Sequence, residues 1–492
     1  MSVDDSRIVI DGATLTCRTV ARVARGDVTV SMAAEGVKRA GEAWRVARQV
    51  AAVRPVYGRT TGVGANRVVD VEWEDADAHG LRLLRSHAAG AGPLVSPEIV
   101  RAMLLVRLNQ VAAGGSGVDP GVLQPLADVL NLGLLPPVPL YGAIGTGDLT
   151  ALASTALCLL GERSWLSGAD GGQERGPGFR LRSADALAFI SSNAATLGEA
   201  ALAATDLRML LGASTVVAAL SLFAVRGSEE PYAPCVHEAC PHPGQAEVAT
   251  AMRALLAFDH PAPGRIQDPY GYRAFPQVHG PAVESAAYAE NVVTREINAA
   301  AENPLIDRAA GTVWHNGNFH TAYVGLALDA CRAALFQTMA LSTARLGTLT
   351  EPSFTGLPPF QAATEASSGI MVLEYVAHSA LADVRRFATP AALGGAVLSR
   401  GVEEHAGFST QSARATTDAL AAYRIGLGCE LVAATRALRM QGRIPSGGPL
   451  KAAHDLATGV LDPRMEDRPL DADIAVAADL LPHLARLLPQ GP

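Results

Sequence analysis

Apolar positions along this chain recur mainly at helical spacing, and the longest stretches of that pattern lie beyond residue 197. There the sequence predicts long helical segments interrupted at 226–245 and 260–277, with lengths that suit a bundle of nearly antiparallel helices. An apolar uncharged run, 209–225, falls short of the ~20 residues a spanning helix needs. It also contains Gly, Ser and Thr, so a buried bundle helix is expected there. Ahead of residue 197 the pattern is more broken. A short strand and helices over 8–58 give way at Pro55 to a glycine-rich loop, 56–67 (VYGRTTGVGANR). Helical stretches are predicted at 76–87, at 101–118 as an amphipathic helix closing on a glycine turn, and at 281–302. Residues 163–180, rich in Gly and charge, read as an exposed excursion, and the chain past 441 as a Pro/Gly loop with a terminal helix.

The stretch that departs most from simple helical patterning is 137–153, PVPLYGAIGTGDLTALA. Two prolines lead into Gly142, Gly145 and Gly147, and Asp148 opens a run of helix formers from 149 to 160. Asp148 is expected to cap that helix, its carboxylate accepting from free N–H groups at the positive dipole end. Three readings of the loop stand open. It is a capped turn; or an anion cradle, although its spacing matches neither the dinucleotide fingerprint nor the P-loop; or a self-modifying turn. In the third, the amide nitrogen of Gly147 presses on the carbonyl of Gly145, and dehydration at Thr146 creates an electrophile.

Composition narrows the class. The chain has 492 residues, 49% of them hydrophobic, enough for a large core as one long domain or two or three closely packed ones. Few aromatics and abundant alanine favour close-packed helices. A net charge of −8 offers no basic face for nucleic acid. The N-terminus lacks a secretion-signal profile, so a cytoplasmic protein without a membrane segment is expected. Six scattered cysteines fit reduced thiols. Cys235, His237, Cys240 and His242 are four metal-ligating residues within eight, yet their spacing is not that of a common zinc module, and no metal is expected.

The loop GAIGTGDLTALA resembles the active-site loop GSVGASGDLAPLA of the aromatic amino acid ammonia-lyase and aminomutase family, its histidine ammonia-lyase branch above all. In that family Ala-Ser-Gly cyclises into a methylidene-imidazolone, MIO. Gly145, Thr146 and Gly147 occupy the triad here, with threonine in place of the serine. Other motifs follow in family order. YGRTTGVG is similar to YGxxTGxG and makes Tyr57 the catalytic base or acid, on a loop whose glycines let it close as a lid. Ser86 and His87 are the pair seen in histidine ammonia-lyases, which points to histidine or another polar aromatic substrate. ADALAFISSNAA lies over EGLALINGT, placing Ser191 where the family has an Asn that contacts the prosthetic group, with Asn193 two residues on.

The most specific match is RIQDPYGYRAFPQVHG to RVQDPYSLRCxPQVxG, with Gly271 replacing a serine. It implies that Arg273 clamps the substrate carboxylate through two parallel hydrogen bonds, that Tyr270 is the second catalytic tyrosine, and that Gln267 hydrogen-bonds nearby. ENPL resembles DNPL and nominates Asn303; GNFHT resembles GNFHG and sets Phe319 against the electrophile. LSRGVEEHAGFS lies over TSANQEDHVSMG, matching Glu403 and His405 while Val402 replaces a Gln. Taken without the family, Tyr270, Arg273 and Glu403 read as an ordinary tyrosine, a surface ion pair and a solvated helix residue.

The resemblance spans roughly 56–407. It implies a mainly α fold of ammonia-lyase/fumarase-like architecture, with an N-terminal active-site region over 1–196 and a long-helix bundle over 197–492. It also implies a homotetramer with active sites assembled from more than one subunit and no external cofactor. Three functions follow in order. The first is an ammonia-lyase or 2,3-aminomutase on histidine or another aromatic amino acid, using an MIO-like group from Gly145-Thr146-Gly147. The second is an enzyme without that group, in which Tyr57 abstracts a proton from a modified amino acid or related acid. The third is a non-catalytic binding homologue.

Overall fold

The computed structural model describes residues 6–26, 28–71, 76–167, 171–258 and 261–488; parts of the N-terminus, of the 163–180 excursion and of the 260–277 interruption lie outside them. The chain forms two compact units. The first is Met1–Thr205 with Glu290–Leu328 and Pro390–Arg414; the second is Asp206–Ala289 with Asp329–Thr389 and Ala415–Pro492.

The first unit holds the four two-stranded sheets seen among the described residues. Arg7–Ile10 pairs in parallel with Thr29–Met32, and Ala91–Leu94 pairs antiparallel with Pro139–Tyr141. The second pairing ties the segment after His87 to the strand that feeds the glycine loop. Helix Pro97–Ala113 starts on a Ser96 cap and ends at Gly114, which takes φ +83°. Nearly every residue from Val100 to Ala112 is buried, so this helix is wrapped on all sides and is not the amphipathic surface helix expected at 101–118. Ala43, Ala47, Val50, Val56, Ile306 and Val313 form a small core that fixes the start of the 56–67 loop.

In the second unit long helices dominate, as the sequence pattern predicts. All but the last residue of the uncharged run 209–225 falls within helix Ala194–Ala224, and the most apolar window of the segment Ala186–Ala224 is 83% buried. That helix and Ala322–Thr350 are long and apolar enough to cross a membrane by length and composition, but the first is mostly buried within the fold. Helix Phe275–Ile297 passes straight through Pro281, so the helix expected to begin at 281 begins six residues earlier. Inside this unit Arg345 and Glu430, both fully buried, make a two-pronged ion pair, and Ser221 and Ser342 donate to the same carboxylate. Arg345 also donates to the Gly271 carbonyl, and a Cβ on Gly271 would lie 2.8 Å from Arg345 Cγ. Glycine stands at 271 because an arginine stem occupies the space a serine would need.

The cysteines are all free; Cys17, Cys158, Cys331 and Cys429 are buried. His237 spends both ring nitrogens within the fold, on the Pro231 carbonyl and on Gln245. Among the described residues no group of His, Cys, Asp and Glu is placed to hold a metal.

Candidate active site

In the first unit the glycine loop is held by its carbonyls. Arg414 donates to Leu140 O, Gln411 to Ala143 O, and the Phe408 N–H to Ile144 O. The next carbonyl, Gly145 O, accepts from the Thr321 hydroxyl at 3.0 Å and from the Thr321 N–H at 3.4 Å. Four carbonyls between 140 and 145 are thus anchored by side chains and amides near the start of helix Ser409–Met440 and by Thr321. On the other side of the turn, the Gly147 N–H donates to Asn193 Oδ1 at 2.9 Å, and the Asp148 N–H to Ser192 O at 2.7 Å. These amides are satisfied internally, so the loop is no anion cradle. Gly145 and Gly147 take φ +87° and +128°, angles that favour glycine.

Asp148 does not do what its position suggests. It makes no side-chain cap on helix Leu149–Leu159. Its carboxylate instead accepts from the Thr196 N–H at 2.7 Å and the Thr196 hydroxyl at 2.9 Å, at the start of helix Ala194–Ala224. The free donors of that helix outcompete its own because the carboxylate is folded inward and fully buried. Burial pushes it up to about 6 despite those hydrogen bonds.

The Asn beside the loop is Asn193. Its oxygen takes the Gly147 N–H and its nitrogen donates to Phe319 O, which joins the turn to the GNFHT segment. Ser191, the residue expected in this role, has another partner: its hydroxyl accepts from the Asn303 N–H at 3.4 Å. Asn303 Oδ1 in turn accepts from the Asn316 N–H. Behind them Arg107 and Glu302, both buried, pair at 2.8 Å, and Ser192 donates to Gln110.

Tyr57 is set by packing and by one buried ion pair. Arg59 meets Asp185 at 2.7 Å and donates to Gly117 O, while Gly58, at φ +69°, packs on Leu187 of the short helix Ala186–Ile190 that delivers Ser191 and Asn193. The Tyr57 hydroxyl accepts from the Gly64 N–H at 2.8 Å. Ser399 Oγ accepts from the Ala65 N–H, and Glu403 lies on the same turn, paired through its backbone with Leu398. The Tyr57 phenol is raised above its ordinary value, first by burial and further by the Glu403 charge, against the lowering effect of the Gly64 N–H and Arg67. His405 and His320 share a hydrogen bond of 2.9 Å. Ser86 and His87 both bond to the Leu83 carbonyl, capping the end of their own helix.

The second unit carries Gln267, Tyr270 and Arg273, on the short turn Tyr270–Arg273 and the residues ahead of it. They line a cavity of about 500 Å³ with Glu230, Ile266 and Gln277. The Arg273 guanidinium lies 4.8 Å from the Tyr270 ring centroid and its Nε donates to Asp268 O. No carboxylate pairs with it among the described residues, so the surface ion pair that Arg273 suggests in isolation is not formed.

The profile of the aromatic amino acid lyase family matches residues 15–458, and the chain belongs to that family, whose class is the MIO-dependent lyases and aminomutases. It is a carbon–nitrogen lyase-type enzyme rather than a non-catalytic homologue. It is 33% identical to a histidine ammonia-lyase of Stigmatella aurantiaca over 96% of both chains. Among solved structures it is similar to the ergothioneine-degrading ergothionase of Treponema denticola, with a TM-score of 0.89 and 25% identity over 98% of this chain and 100% of that one. It is likewise similar to a tyrosine aminomutase of Streptomyces globisporus, with a TM-score of 0.90 and 28% identity over 98% and 97%.

The triad at 145–147 fits the family's prosthetic group. Gly145 O, the carbonyl that ring closure would attack, has two donors, the Gly147 amide that would attack it has an acceptor, and the glycine at 145 is the residue its crowded position admits: a Cβ there would lie 2.4 Å from Ser409 Oγ.

Proposed function

We propose that this protein is an ammonia-lyase or 2,3-aminomutase acting on histidine or another aromatic amino acid. The observation that carries the reading is the paired restraint on the turn, with donors on Gly145 O and an acceptor on Gly147 N–H, together with a half-buried tyrosine, Tyr57, whose hydroxyl is held by the Gly64 N–H. The β-proton of an amino acid is too weakly acidic for a phenol unless the amine or ring is activated. An electrophilic alkylidene centred on residue 146 supplies that activation when formed. Tyr57 takes and returns the proton. Its Gly64 hydrogen bond favours the phenolate, while burial and the Glu403 charge oppose it and together hold the phenol above its ordinary value.

Arg273 receives the substrate carboxylate through its planar fork, with Tyr270 and Gln267 completing that end. Phe319, Asn303, Ser191 and Asn193 frame the reacting end, Glu403 meets the amine or ring, and Ser86 and His87 select the ring. The enzyme is a cytoplasmic homotetramer with active sites shared between subunits. Support for the substrate class comes from the relatives' names and from the motifs.

Thr146 favours one second reading. Dehydrating threonine leaves a methyl-substituted, less electrophilic alkylidene, so elimination without the group is the alternative, from a substrate whose leaving group departs as a neutral amine unaided. The test is direct. Purified protein is incubated with L-histidine, L-phenylalanine and L-tyrosine, following ammonia, the unsaturated acid and the β-amino acid. Turnover that is lost on borohydride treatment and in Tyr57→Phe supports the first reading. No turnover of these three, with borohydride-resistant elimination from a quaternary ammonium analogue, supports the second.

A further inference from the structure

Thr321 and Ser409 are absent from every role assigned above, yet they sit on the reacting carbonyl of the loop. Thr321 Oγ1 lies 3.0 Å from Gly145 O and 2.6 Å from Ser409 Oγ, and all three atoms are buried. A hydroxyl has one proton to give. The Thr321 proton is committed to Gly145 O, since a carbonyl only accepts, so the Ser409 proton points at Thr321 Oγ1. The result is a directed chain, Ser409 O–H to Thr321 O–H to Gly145 C=O, in which each bond polarises the next.

The family motifs read against this geometry show an exchange of volume. GASG has alanine where this chain has Gly145, GNFHG has glycine where it has Thr321, and TSANQEDHVSMG ends in glycine where it has Ser409. A Cβ at 145 would lie 2.4 Å from Ser409 Oγ and 2.8 Å from the Ser409 nitrogen. One methyl group has left the loop, and two hydroxyls occupy the room behind it, aimed at the carbonyl.

We propose that Thr321 is a catalytic residue for maturation of the loop and Ser409 its positioning residue, together drawing electron density from the Gly145 carbonyl so that Gly147 nitrogen closes the ring. The inference rests on the reading that the triad cyclises. The step balances internally. A bond forms from Gly147 N to the Gly145 carbonyl carbon. The carbonyl oxygen leaves as water with the amide hydrogens of Gly147 and Thr146, leaving a carbon–nitrogen double bond. Thr146 then loses its Cα hydrogen and hydroxyl as a second water. No oxidant or reductant is involved. Asn193 Oδ1 draws the Gly147 N–H forward while Thr321 draws the oxygen back, so both ends of the forming bond are polarised before reaction.

The experiment follows intact mass against time in the full chain made by cell-free translation, for wild type, Thr321→Ser, Thr321→Val and Ser409→Ala, with thermal unfolding of each product. Wild type and Thr321→Ser are expected to become two waters lighter at rates within a few-fold of each other. Thr321→Val is expected to slow by roughly 10²-fold, the usual cost of removing one such donor, and Ser409→Ala by less. Unfolding midpoints near wild type separate this from misfolding; if Thr321→Val does not fold, the slowing in Ser409→Ala and its absence in Thr321→Ser carry the test. A wild type that matures while Thr321→Val and Ser409→Ala keep pace overturns the inference alone. A wild type that keeps its full mass overturns the cyclisation reading, and the inference with it.

Discussion

The glycine turn of the first unit and the Tyr270–Arg273 turn of the second hold their chemistry in opposite ways. At the glycine turn the groups that matter belong to the backbone: a carbonyl with donors on it and an amide with an acceptor. Side chains there serve as clamps, and several differ from the family's motif. At the Tyr270–Arg273 turn the proposed chemistry belongs to side chains, the motif is nearly intact, and Arg273 lines a cavity without a carboxylate partner among the described residues. A site built on backbone tolerates exchange of its clamps if volume and donors are kept. One built on a guanidinium fork does not.

That contrast gives predictions of descending size. Arg273→Ala is expected to lower kcat/KM by roughly 10³-fold, chiefly through KM, because two charge-assisted hydrogen bonds to the carboxylate are lost. Arg273→Lys should recover only part of this. Steady-state kinetics checks both, and a wild-type KM in Arg273→Ala would remove Arg273 from substrate binding.

Next in size is the stability cost of refilling the loop. Gly145→Ala puts a methyl 2.4 Å from Ser409 Oγ at φ +87°, and about 2–4 kcal/mol of destabilisation is expected in denaturant unfolding. Wild-type stability in this variant would mean the turn is not held as described.

Asp148 should leave a signature in stability against pH. Burial raises its folded-state value from 3.8 to about 6, so the folded protein binds the proton more tightly than the unfolded chain. Stability therefore falls as pH rises through the window from 3.8 to about 6. The penalty is complete above it and amounts to roughly 3 kcal/mol. Asp148→Asn should flatten that slope, measured by urea unfolding between pH 4 and about 7; an unchanged slope would assign it to other groups.

Smallest is an electrostatic effect. The Glu403 charge raises the Tyr57 phenol, so Glu403→Gln should move the tyrosine-dependent limb of the pH–rate profile to lower pH. A shift to higher pH would contradict this.

The long helices were legible because apolar spacing over many residues is a cooperative signal that neighbours cannot easily override. Single residues were harder. Asp148 reads as the cap of the helix it precedes, and only the tertiary approach of Thr196 shows otherwise. The 101–118 segment reads as half-exposed because Arg107, Asn109 and Gln110 are polar, yet each is buried against a partner. The motifs brought out Tyr57, Arg273 and Glu403, while Asn193 was displaced by two positions from the residue it serves for. Thr321 and Ser409 gave no signal as residue types, since hydroxyls are common. Their signal lay in three motif departures that make sense only together. Arg345, which excludes a side chain from 271, lies 74 residues along the chain and leaves no mark near that glycine.

The central claim is that a threonine-centred turn matures. Peptide-level mass spectrometry of the purified full chain measures it most directly, on a fragment spanning residues 142–148. The account predicts a fragment lighter by two waters, with the loss confined to Gly145, Thr146 and Gly147. A fragment at its full, unmodified mass in catalytically active protein would contradict it.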